Sequence, residues 1–190
     1  QNKSKATPTN RAKEATQKVD ELEQKLKAAN LTDGDLEKLK KELSSAKEAA
    51  ERHNEAAVLS RLTKTLGALA RQYNKVEQAG AEKGDVVYIT TLAFKKDLIK
   101  EAKDVKNRFV NAQVARDTLA GKLRDLCDGE EQEKIKLEKK LMEAKHVLEK
   151  IAESVNQTRA QMKKSTNKRK SDLDSVIAKA KKAKEGSMMS

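Results

Sequence analysis

Apolar residues return every three or four positions along this chain, and that spacing decides most of what it can fold into. From Ala12 the series reads Ala12, Ala15, Val19, Leu22, Leu26, Ala29, stepping 3, 4, 3, 4, 3. It resumes at Leu36, Leu39, Leu43, Ala46 and Ala50, slips phase between His53 and Leu59, and re-forms through Leu59, Leu62, Leu66, Leu69, Tyr73 and Val76. The cleanest run is Leu98, Ala102, Val105, Phe109, Ala112, Arg116, Leu119, Leu123 and Leu126. A last one holds Leu137, Leu141, Ala144, Leu148, Ile151, Val155, Thr158 and Met162. Side chains so spaced form a stripe along one face of a helix, and the stripe must be covered by another helix. A phase slip alters the local supercoil without ending the helix.

The covering helix does not belong to an ordinary globule. Charged residues make up 38% of the chain and aromatic ones 2%, with one proline and no tryptophan. Much of the apolar content is alanine, which buries little area, so a large core is not expected. The expected fold is all-α, with extended long helices forming a coiled coil or a helical hairpin and no compact globular core. If helical throughout, the chain would reach about 280 Å at about 1.5 Å per residue. Its partner helix is a second copy, another protein or a folded-back segment of the same chain.

Breaks in the pattern divide the chain. Residues 1–10 are polar, hold the proline and read as a flexible arm, with Thr9 or Asn10 able to cap the first helix. A short helix is predicted over 11–31, then a first long helix over 34–79, its start capped by Thr32 or Asp33. Residues 79–94, AGAEKGDVVYITTLAF, hold glycines beside a β-branched run. A lone strand there would lack a pairing edge, so we read a glycine joint at 80–85. Gly80 and Gly84 end one helix and Asp85 caps the next, while Tyr88, Leu92 and Phe94 dock locally or on a partner. The main coiled-coil helix is predicted over 86–162, with a weak point near 128–130. Gly121 and Gly129 each cost about 1 kcal/mol against alanine in a helix interior. Arg116, the one charge in its run, is expected to pack its stem and carry its head out to water.

No arrangement of side chains suggests chemistry. His53 and His146 fall in different helices, without a second ligand at a useful spacing. Cys127 stands alone beside Asp128, Glu130 and Glu131, which disfavour its thiolate, so it reads as a small packing residue. Asp128, Glu130, Glu131 and Glu133 lack the spacing of a calcium loop and read as a solvated face. The triplets at Asn2, Asn30 and Asn156 that resemble glycosylation sites read as chance. No catalytic residues, cofactor, metal or small-molecule substrate are expected, and no enzyme. No apolar stretch approaches the ~18 residues of a membrane span. A single cysteine and the absence of a leader-like opening fit a cytoplasmic location.

Charge is the strongest polar signal. The chain carries a formal net charge of +12. Residues 163–190 form a basic end, and over 163–184 Lys163, Lys164, Lys168, Arg169, Lys170, Lys179, Lys181, Lys182 and Lys184 face only Asp172 and Asp174. These nine basic and two acidic residues leave a surplus of seven positive charges. Such a segment attracts acidic surfaces or phosphates in a salt-dependent way, and without an aromatic to stack bases it does not read sequence.

Two stretches resemble the taxilin family. LTKTLGALARQYNKVEQ (62–78) is similar to the opening of its coiled coil through Leu66, Leu69 and Tyr73. NAQVARDTLAGKLRDLC (111–127) resembles a second block of that family through Ala115, Arg116, Leu119, Leu126 and Cys127. The resemblance spans roughly residues 60–165. It implies a cytoplasmic coiled-coil adaptor of a kind associated with syntaxins, with the nascent-polypeptide-associated complex and, in some members, with centrosomes. The expected function is a non-enzymatic scaffold that binds partner helices, in self or mixed coiled coils, and docks its basic end on an acidic surface. The alternatives are a ribosome- or RNA-associated factor and a structural coiled coil on acidic tubulin in a microtubule or ciliary lattice.

Overall fold

A computed structural model describes residues 7–28, 30–78 and 86–168, with a few further positions between 175 and 186; the side chains at 76, 86–92 and 167–168 fall outside this set. The described elements are four α-helices: α1 (Pro8–Lys27), α2 (Asp33–Gln78), α3 (Val86–Arg124) and α4 (Glu131–Lys168). Among the described residues there is no strand. The chain divides into two compact units, residues 1–61 and 62–190, and the division falls within α2.

In the first unit, α1 begins sooner than its periodicity predicts. Thr7, in extended conformation, is the cap, and its Oγ1 accepts the Asn10 N–H at 3.3 Å. Pro8 follows in the first turn, where its missing N–H costs nothing. The cap is therefore neither Thr9 nor Asn10, and helix replaces the end of the expected arm; residues 1–6 lie outside the described residues. Lys25 and Lys27 favour the carboxy-terminal end of the helix dipole, and the chain leaves it at an extended Ala28. Thr32 caps α2, its Oγ1 accepting the Asp35 N–H at 3.3 Å and donating to Asp35 Oδ2 at 2.8 Å. Asp33 and Asp35 suit the positive end of the new helix.

The short connection sends α2 back along α1. Lys47 Nζ meets Glu23 Oε1 at 3.3 Å, and one groove is lined from both helices. The buried apolar residues of this unit are Ala12, Leu22, Ala46, Ala50 and Ala57. Alanine contributes roughly one methyl group's worth of burial, about 0.8 kcal/mol. Across the phase slip at 53–59, α2 continues unbroken.

The second unit holds the end of α2 with α3 and α4. The joint expected at 80–85 lies outside the described residues, as do the side chains of Tyr88 and Leu92. The long helix expected over 86–162 is two helices. α3 ends with the Asp125 N–H on the Gly121 carbonyl at 3.1 Å, and α4 opens with the Lys134 N–H on the Glu130 carbonyl at 2.9 Å. Between them Gly129 takes a φ of 105°, a left-handed conformation that side chains with a Cβ rarely adopt. The weak point is thus a full reversal, with Asp128-Gly129 supplying the turn chemistry.

α3 and α4 then lie side by side and antiparallel, with Asp97 and Leu98 near Gln161 and Ser165. Their stripes form the core: Leu98, Ala102, Val105 and Phe109 from α3, Leu137, Leu148, Ile151, Val155 and Met162 from α4. Burying each of the larger side chains contributes about 1.5–3 kcal/mol. The described helices of this unit form a hairpin with a packed core, the folded-back alternative of the expected fold, and the extended coiled coil is not seen among the described residues.

Candidate interaction surfaces

Twenty large apolar residues of the expected coiled-coil seam are at least half-buried, while Ala29 and the Val76 side chain lie outside the described residues. Leu22, Leu62, Leu69, Leu98, Val105, Phe109, Leu137, Leu148, Ile151 and Val155 are buried. Leu26, Leu36, Leu39, Leu43, Leu66, Tyr73, Leu119, Leu123, Leu126 and Leu141 are half-buried. Of the positions that resemble the taxilin blocks, Leu69 and Arg116 are buried, Leu66, Tyr73, Leu119 and Leu126 half-buried, and Ala115 and Cys127 exposed.

Four polar side chains share these stripes. Lys95 has no exposed surface, and its Nζ donates to Gln72 Oε1 at 3.0 Å, tying the end of α2 to the start of α3. Arg116 does not carry its head to water. Its side chain is 9% exposed, with Nη2 at 3.1 Å from Asp117 Oδ1, and Asp117 is itself half exposed. Nε donates to the same oxygen at 3.1 Å. Burial of a guanidinium is tolerable only when paired in this way. Thr158 and Ser165 complete the set. The apolar spacing does not include Lys95 and Ser165, yet each lies three positions beyond a seam end, before Leu98 and after Met162. Extending the count one step in each direction finds them.

The remaining expectations fall on the surface. Cys127 is exposed in the reversal between α3 and α4, not packed as expected. His53 is half-buried in the α1–α2 groove, and exposed His146 has Nδ1 3.9 Å from Glu149 Oε2. Glu131 and Glu133 occupy the first turn of α4, where negative charge favours the helix dipole. Among the described residues no three His, Cys, Asp or Glu side chains gather to hold a metal. Phe94 remains 44% exposed.

Open grooves follow the helix pairs. The one between α1 and α2 has a volume of about 1020 Å³ and carries Arg11, Lys18 and Lys41 with Glu14 and Glu42. Along α3 and α4, a groove of about 640 Å³ carries Asp97, Glu101 and Asp104 with Lys100 and Arg108. Each mixes both signs. At the basic end, Lys163, Lys164, Lys179, Lys181 and Lys182 are exposed, while the Lys168 side chain, Arg169, Lys170 and Lys184 lie outside the described residues. No described helix is long and apolar enough to cross a membrane. No protein-family model, curated protein or solved structure matches the chain.

Proposed function

We propose that this chain is a non-enzymatic helical adaptor, taxilin-like in layout, that docks on an acidic surface through its basic end and presents helices to partner proteins. The observation that carries this reading is the run of exposed lysines starting in the last turns of α4, Lys163 and Lys164, and continuing at Lys179, Lys181 and Lys182. The grooves mix both signs, whereas residues 163–184 hold nine basic and two acidic side chains. Ammonium groups without interleaved aromatics act as point charges, attracting carboxylates or phosphates with little selectivity. Because half of the expected seam side chains are buried within the chain, docking by charge is the dominant contact in this reading. A cytoplasmic adaptor role and an RNA-bound or tubulin-bound role share that chemistry and differ in the partner.

A pull-down at two salt concentrations, with and without nuclease, tests the proposal alongside co-sedimentation with microtubules. The triple change Lys179→Gln, Lys181→Gln, Lys182→Gln is expected to weaken capture at low salt by at least about tenfold. Capture unaffected by both the substitutions and salt overturns docking by charge. Loss on nuclease treatment moves the partner to RNA, and co-sedimentation moves it to the tubulin lattice.

A further inference from the structure

We draw no further inference here: the strongest candidate, the groove between the start of α3 and the end of α4 lined by Phe94, Asp97, Glu101, Gln161, Lys164 and Ser165, carries nothing because its buried, unpartnered Ser165 hydroxyl is sealed from solvent and nothing in the structure shows what covers the groove.

Discussion

The two helix pairs use the same spacing with different side chains. In the α1–α2 pair the buried positions are Ala12, Ala46, Ala50 and Ala57, with Leu22 as the large exception. In the α3–α4 pair the apolar ones are Leu98, Val105, Phe109, Leu137, Leu148, Ile151, Val155 and Met162 beside Ala102. Alternating steps of three and four determine which face of a helix is covered. The volume of the side chains on that face determines how much free energy the covering releases. The first pair is therefore expected to open well before the second, although both are antiparallel and both have short connections.

The difference can be broken from its stronger side first. Phe109→Ala leaves a cavity in the α3–α4 core and is expected to cost about 3–5 kcal/mol, read by urea denaturation. If the loss is under about 1 kcal/mol, the core is not where this comparison puts it. Leu22→Ala removes the one large buried side chain of α1, at about 2–3 kcal/mol. Hydrogen exchange should then show protection lost across 8–57 and retained across 95–165. Equal loss in both regions would mean that the pairs unfold together.

Two glycines sharpen the contrast between turn and helix. Gly129→Ala forces a Cβ into a backbone with φ of 105° and should lower stability by about 1 kcal/mol. Gly121→Ala, inside α3 with nothing within 4 Å of the new Cβ, should raise it by about 0.5–1 kcal/mol. Thermal melts of the two variants should move in opposite directions. The smallest effect belongs to Lys47→Gln, which removes an ion pair whose side chains are 53% and 42% exposed. A change of no more than about 0.5 kcal/mol is expected, and less in high salt.

The stripes were legible in the sequence because helical burial has a fixed period, and among the described side chains none of the expected seam residues is exposed. Which helix covers which stripe was not legible. A glycine in a helical run costs about 1 kcal/mol if the helix continues through it and favours a left-handed turn if the helix stops, so Gly121 and Gly129 look alike until tertiary packing decides. Gly121 stays within α3 and Gly129 turns the chain. The fate of Arg116 was equally undetermined, since its neighbour Asp117 offers a partner only if the guanidinium folds back along its own helix. Thr7 takes the cap ahead of Thr9 and Asn10 because Pro8 suits the first helical turn and not the position before one. The surface reading rests on charge alone, and charge specifies an attraction without specifying its object.

The reversal at Asp125–Glu130 also changes how pairing responds to dilution. Two separate strands of a rod must find each other, and they part as concentration falls. Here a short tether keeps the facing stripes at an effective concentration on the order of millimolar, whatever the amount of protein in the tube. Association of α3 with α4 is thereby unimolecular, and a thousandfold dilution, a ratio of about three decades, leaves its equilibrium where it was.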